Sequence, residues 1–288
     1  MTSFFDLLLS GLMSGLVIGL GALAVTLVFG VARFPNAATG DVMSLSAYAA
    51  LAGAGATGSM VLGGAAALLA GILLNVALYL LVFRTLANRN PVMSLLASIG
   101  VGFMVRSLIG LVNGQQPKVF SLPLTRPMLI FDLRVQPTDL KLAAVTVATL
   151  VLVFLILNMT AIGRRMRAVA ADPDLARVSG INPVRVMLAL WALAGAVSAM
   201  AGLILGMKTV VTPDMGWNML LPAFAAAVLG GIGHPLGAVV AGVLLGVVQE
   251  LATPFVGFTY KIAISFVVLM LVLLLRPRGL FGRQDGAR

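Results

Sequence analysis

The sequence predicts an all-α, polytopic integral membrane protein with eight to nine helical segments. Three observations carry that expectation. Mean hydropathy is +1.10. Only 10% of the 288 residues are charged and 60% are hydrophobic, whereas a soluble domain carries about 25% charged residues. Apolar stretches of about 20 residues recur along nearly the whole chain. In lipid each stretch must be helical, because a lone strand leaves its backbone groups unpaired. No polar stretch is long enough for a second, soluble domain, so residues 1–288 are expected to form one membrane domain.

The apolar segments lie at roughly 5–31, 38–56, 58–83, 92–114, 141–158, 186–211, 218–233, 236–252 and 259–275. The first has no basic residue ahead of it and is too long for a signal peptide, so it is expected to be a retained span. Gly11, Gly15 and Gly19 line one face of it, and Gly242 and Gly246 do the same in the eighth segment. Small residues at spacing four let helices pack closely in lipid. As one helix, 218–252 would be about 50 Å long, against a hydrocarbon core of about 30 Å. The string "GGIGHPLG" at 230–237 breaks it. Each half is short for a span, so the pair is either two short spans or a re-entrant hairpin.

A net charge of +10 in a soluble chain would suggest nucleic acid. Here the basic residues sit mostly between apolar segments, where they hold loops on the cytoplasmic side; nucleic-acid binding is not expected. With no cysteine and one histidine, His234, the chain has no thiolate site, no disulfide and no self-sufficient zinc site. The 159–185 loop has five arginines and the C-terminal stretch four, Arg276, Arg278, Arg283 and Arg288. Both are expected to be cytoplasmic, with Arg164, Arg165, Arg167, Arg276 and Arg278 as topology anchors. Counting backwards places the turns with Arg33 and with Arg84 and Arg89 on the same side. It places the N-terminus and the 115–140 loop outside, although that loop carries Lys118, Arg126 and Arg134 against Asp132 and Asp139.

Ionisable and polar residues inside the apolar segments are candidates for function, because each is costly in hydrocarbon. Asn36, Asp41, Arg106 and Glu250 are the candidate pathway residues. Asp41 near the cytoplasmic start of the second span reads either as an interfacial carboxylate at a helix's positive end or as part of a gate. Arg106, in the outer half of the fourth span, either snorkels outward or lines a watery path. Glu250 and Gln249 end the eighth segment externally, where they would be interfacial and within reach of a binding protein. Asn75 and Asn113 are placed to bridge helices. The few tyrosines and two tryptophans are scattered, with no ring for stacking sugars, whereas fifteen methionines and many aliphatics suit a small apolar-sided solute.

The densest run of charge is "GRRMRAVAADPDLARVSGINPVR" at 163–185. Asp172 is a good N-cap, Pro173 suits the first helical position and Gly180 suits the position past the end. A short helix over 173–179 is expected, with Leu175, Val178 and Ala171 on its apolar edge and Asp174 and Arg177 facing away. Such a helix either lies on lipid headgroups or docks a soluble partner. Asp174, Leu175, Ala176 and Gly180 resemble a degenerate form of the E-A-A-x-x-x-G loop of ABC importer permeases. The longer run is similar to the branched-chain amino acid permease family, LivH type. "NAATGDVMSLSAY" at 36–48 is similar to that family's N-x-A-x-G-[DE] signature, with Thr39 where histidine is usual. "PAFAAAVLGGIGHPLGAVVAGVLLGVVQE" at 222–250 and "RPRGLFG" at 276–282 resemble its late segments. The importer pattern's later leucine-proline does not follow Gly180.

The resemblance implies a permease subunit in the bacterial inner membrane. It would work with a second permease (LivM-like, or a copy of itself), two cytoplasmic ATPases and an external substrate-binding protein. It implies that Asp172, Asp174, Leu175, Ala176, Arg177 and Gly180 contact the ATPase, and that leucine, isoleucine and valine, or related amides, are carried. No cofactor is expected on this chain; ATP is used by the partners. The nearest approach to a phosphate-binding loop, "GLILGMKT" at 202–209, has one residue too many before Lys208 and lies in an apolar span. A self-sufficient secondary transporter or channel, with 218–252 as its binding hairpin, is the alternative. A membrane-embedded enzyme lacks the clustered carboxylates, histidines or nucleophile it would need.

Overall fold

In the computed structural model, residues 4–86, 90–121, 128–130, 133–276 and 279–281 are described. Arg89, Arg126, Asp132, Arg278, Arg283 and Arg288 lie outside the described residues. The order is α1 (Phe4–Ala32), α2 (Thr39–Thr57), α3 (Met60–Leu78), a π-helical turn (Tyr79–Phe83), α4 (Arg84–Leu86) and α5 (Pro91–Asn113). A hairpin follows, β1 (Met128–Ile130) antiparallel to β2 (Leu133–Val135) with Leu129 opposite Arg134. The chain continues with α6 (Pro137–Met159), α7 (Ala161–Ala171), α8 (Pro173–Val178), α9 (Pro183–Lys208), α10 (Met215–Gly230), α11 (Pro235–Val256), a 3-10 turn (Phe258–Tyr260) and α12 (Lys261–Leu275). The fold is helical as expected, with one small hairpin added in the 115–140 loop.

Among the described residues, six helices are long and apolar enough to cross a membrane: α1, Met60–Leu86, α5, α6, α9 and α11. The break at 230–237 falls where the sequence put it, but its halves are unequal. The 22 residues of α11 make about 33 Å, a full span, whereas the 16 of α10 make about 24 Å. The expectation that both halves are short is therefore corrected for α11, which begins at Pro235 and runs on past Glu250 to Val256.

The core is centred on α1, buried from Val17 to Val28. It runs antiparallel to α11, and the predicted glycine faces meet. A Cβ on Gly15 would lie 2.6 Å from Val243 O, and one on Gly11 2.7 Å from Val247 Cα. Gly242 and Gly246 in turn abut Gly19 and Gly15. Backbone against backbone at this range excludes any side chain, the close approach that small-residue faces permit in lipid. The stretch 202–209, rejected above as a phosphate loop, is helix within α9 as far as Lys208; Gly202 packs on the Met43 backbone.

The aromatics that look scattered in the sequence converge. Trp191 is fully buried. It stacks on Phe83 at 4.7 Å and Tyr79 at 5.8 Å, and Phe34 closes the group at 5.2 Å from Phe83. Asn75 donates to Trp191 O at 3.0 Å, bridging α3 and α9 as expected of it. Asn113 instead accepts from Lys118.

The bundle has two distinct ends. One gathers Arg33, α7, α8 and the turn at 231–234, where Leu280 N donates to Leu229 O. The other gathers Ser14, Lys208, Glu250, Lys261 and the bridge between Lys118 and Val211. The arginine-rich loop and the 115–121 segment thus lie at opposite ends.

Candidate functional site

Two sites emerge, one at the arginine-rich end and one inside the bundle. At the end, Thr160 caps α7, accepting from Gly163 N. Helix α7 buries Gly163, Met166 and Val169 and leaves Arg164, Arg165 and Arg167 exposed. The sequence reading took these residues as loop; the i, i+3, i+6 spacing of 163, 166 and 169 was the signal for a surface helix. Arg167 donates to Leu157 O and Arg164 to Met159 O, satisfying carbonyls near the end of α6. Arg276 is exposed just past α12.

Helix α8 forms as its caps predict. Asp172 accepts from Asp174 N at 2.9 Å and Leu175 N at 3.0 Å, and Gly180 takes φ +81°. Only glycine adopts that conformation without strain. Leu175 and Val178 are 65% and 87% exposed, an apolar edge that the described residues leave uncovered. Asp174 and Arg177 pair at 3.6 Å on the surface. Ala176 corrects the expectation. It is 4% exposed, turned back into the core cluster that includes Met166 and Val186. The apolar residues that α8 turns outward are Leu175 and Val178.

The second site lies where α2 begins. The chain leaves α1 at Ala32 and runs without helix to Thr39, a stretch that can reach about 23 Å. Asp41 lies in the first turn of the helix that follows. It is 1% exposed and its Oδ1 accepts from Arg106 Nε at 2.9 Å. Arg106 is about 22 Å along α5 from Pro91, with about 10 Å of helix remaining. The helix begins deep in the bundle, and its first-turn carboxylate meets its own positive end. Of the two readings of Asp41, a buried carboxylate paired across helices fits the gate reading better than a solvent-facing interfacial one.

The Arg106 guanidinium lies 4.7 Å from the Trp217 ring and 5.2 Å from Phe103. It is 17% exposed, so one edge opens on the outer face of α5. A Cβ on Gly102 would strike Asp41 Oδ2, so this glycine makes room for the carboxylate. Helix α10 starts against the same place: Gly216 N donates to Ser44 Oγ at 3.0 Å, and a Cβ on Gly40 would lie 2.6 Å from Gly216 O. Asn36 Oδ1 accepts from Ala38 N, while Asn36 Nδ2, Asp41 Oδ2 and Arg106 Nη2 are buried without a hydrogen-bond partner. Such groups are expensive where no water reaches them. Three of them lie around the start of α2, while Thr26, Tyr48, Asn75 and Trp191 each have one elsewhere.

Glu250 does not join this site and does not face outward. It is 13% exposed, takes Lys261 Nζ at 2.6 Å and Ser14 Oγ at 3.3 Å, and Ser14 in turn accepts from Lys208. Its carboxylate ties α1, α11 and α12 together at the far end. Gln249 likewise bonds Ser265 of α12.

Long apolar helices around a polar helix start, with a capped helix exposed at one end, are the features of a polytopic helical membrane protein. The comparisons narrow the class. The profile of the family described as branched-chain amino acid transport system / permease component matches residues 7–274, and the chain belongs to that family. It is 28% identical to the high-affinity branched-chain amino acid transport system permease protein LivH of Salmonella typhimurium, over 98% of this chain and 96% of that protein. It is 28% identical to the BraD permease protein of Pseudomonas aeruginosa, over 98% and 97%. Over 48% of its length it is 31% identical to the probable LivH of Methanocaldococcus jannaschii, covering 46% of that protein.

Proposed function

We propose that this chain is the permease subunit of an ABC importer for branched-chain amino acids or related amides, in the bacterial inner membrane. The observation that carries the reading is the full-length membership of the permease family together with an exposed, capped helix at the arginine-rich end. Residues 1–288 act as one permease domain. Helices α2, α10 and α12 complete the crossing begun by the six long spans, giving nine segments with the broken pair at 218–252. The arginine-rich end is cytoplasmic with the C-terminus, and the N-terminus and Glu250 end are external.

The partners are a second permease, homologous or identical, two cytoplasmic ATPases and an external binding protein. Their ATPases supply the energy; this chain makes and breaks no bonds. Helix α8 seats in the ATPase through Leu175 and Val178, whose burial there would remove apolar surface from water at about 25 cal/mol per Å². The solute passes the buried group of Asn36, Asp41 and Arg106, where the mostly buried guanidinium offers a fixed charge in a weakly binding, largely apolar path.

The test is co-purification. The parent chain should bring down an ATPase, and Leu175→Glu with Val178→Glu should lose it while the chain still inserts, because an unpaired charge in a packed interface costs several kcal/mol. Reporters fused after Arg167 and within residues 115–118 should read cytoplasmic and external. Solute uptake by the parent chain alone in liposomes, with no ATPase bound, would sink the reading in favour of a secondary transporter or channel.

A further inference from the structure

Arg33 is the one described residue other than glycine with positive φ, +57°. It follows the last residue of α1, and its N–H closes that helix on Phe29 O at 3.0 Å. This left-handed position past a helix end is ordinarily glycine's, because a Cβ is strained there. An arginine at such a place must be held by its side chain. Its Nη2 reaches across the chain to Ala170 O at 3.0 Å and Ala171 O at 3.4 Å. Those are the last carbonyls of α7, immediately before the Asp172 cap of α8. A helix C-terminus leaves such carbonyls unpaired and carries partial negative charge, so a guanidinium is the fitting clamp.

On its other side Arg33 begins a stiff strut. Phe34 is wedged beneath Phe83 and Trp191. Pro35 has its φ locked by its ring. Asn36 is folded onto Ala38 N, and Thr39 Oγ1 donates to Asn36 O at 2.8 Å. Ala37 N donates to Ser98 Oγ of α5 at 3.0 Å, and four residues further on Asp41 takes Arg106 of the same helix. The segment 33–41 therefore has few free torsions, and it connects the surface cap to the buried polar group.

Resting on the permease reading above, we propose that Arg33 is the positioning residue that carries movement of α7 and α8 into the intramembrane start of α2 and onto α5. A push on α8 shifts the end of α7. The guanidinium shifts with the carbonyls it holds. The strut, pivoting at Phe34, then displaces the helix start and its contact with Arg106. Positive charge alone at this turn would serve topology, and any arginine nearby would do; the two-carbonyl grip is what the coupling requires.

The experiment uses the complete transporter reconstituted in liposomes. Arg33→Gly removes the guanidinium and suits the left-handed backbone, so it tests the grip without adding strain. Arg165→Ala removes one exposed charge from the same end. The chain has no cysteine, so spin labels on cysteines introduced at Thr57, at the end of α2, and at Leu111 on α5 report the α2–α5 separation. The expected result for Arg33→Gly is normal ATPase binding and basal hydrolysis, with stimulation by loaded binding protein and uptake reduced at least 10-fold. Its label separation should no longer respond to ATP. Arg165→Ala should match the parent on every measure. Stimulation within twofold of the parent and an intact ATP response in Arg33→Gly would overturn the inference and leave the permease reading standing. Equal loss in Arg165→Ala would also overturn it, reducing Arg33 to one topological charge among several. A parent chain that binds no ATPase would remove the permease reading and this inference together.

Discussion

The contact of α1 with α11 and the contact of α2 with α5 and α10 both bring backbones together through glycine, yet the first is apolar except where Ser14 meets Glu250 near its end and the second is polar at its centre. Along α1, Gly11, Gly15 and Gly19 meet Gly242, Gly246 and the backbone of Val239, Val243 and Val247. Around the start of α2, Gly40, Gly102 and Gly216 instead make room for Asp41, Ser44 and their partners. In the first contact glycine serves packing alone. In the second it admits charge and leaves three buried polar atoms unsatisfied. The difference separates a seam that holds the bundle together from a joint that keeps polar capacity at a cost in stability.

Four substitutions set the two contacts against each other. The largest effect is expected from Arg106→Ala, which strands Asp41 in the bundle without its partner. Breaking a buried pair in this way costs about 3–5 kcal/mol. The double change Arg106→Ala with Asp41→Ala should recover much of that loss in thermal unfolding in detergent, while uptake stays absent. A double variant no more stable than the single one would show that the pair is ordinary packing and erase the contrast with the seam.

Gly15→Leu should come next, at about 1–3 kcal/mol or more, because the seam has no room for a side chain and backbones must part. Gly100→Leu is the matched control: it sits on an exposed helix face with no atom within 4 Å of a built Cβ. Gly21, which lies off the Gly11–Gly15–Gly19 face, would be a poor control, since its Cβ would meet Ala223 at 3.1 Å. Equal yield and melting temperature for the leucine variants at 15 and 100 would mean that the seam is not tight.

Trp217→Leu keeps an apolar side chain and removes the ring beside Arg106. A loss of about 0.5–2 kcal/mol is expected, with a larger proportional effect on uptake than on melting temperature. The reverse ordering would make Trp217 a packing residue and the joint less polar than described. The smallest effect belongs to Asp174→Asn. Its pair with Arg177 is exposed on both sides, so stability should change by about 0–1 kcal/mol or less, and the caps at Asp172 and Gly180 should hold α8 unchanged by circular dichroism.

The sequence by itself determined what depends on composition and on neighbours a few residues apart. The length of apolar runs made the spans, because unpaired backbone groups leave helix as the only option in lipid. The Asp172-Pro173 start and Gly180 end made α8, because caps act within one turn. The glycine spacing made the α1 and α11 faces, because a fixed period maps onto one side of a helix. Only the tertiary structure decided where polar residues sit and which ones meet. Asp41 and Arg106 are 65 positions apart, and nothing local announces that α2 starts deep in the bundle. Glu250 turned inward to Lys261 and Ser14, and Ala176 turned inward beneath α8, for the same reason. In these helices apolar residues cover all sides, so the pattern that tells a soluble helix which face is inside is missing. Depth and pairing are then set by which backbones can touch, and that follows from how the whole bundle closes.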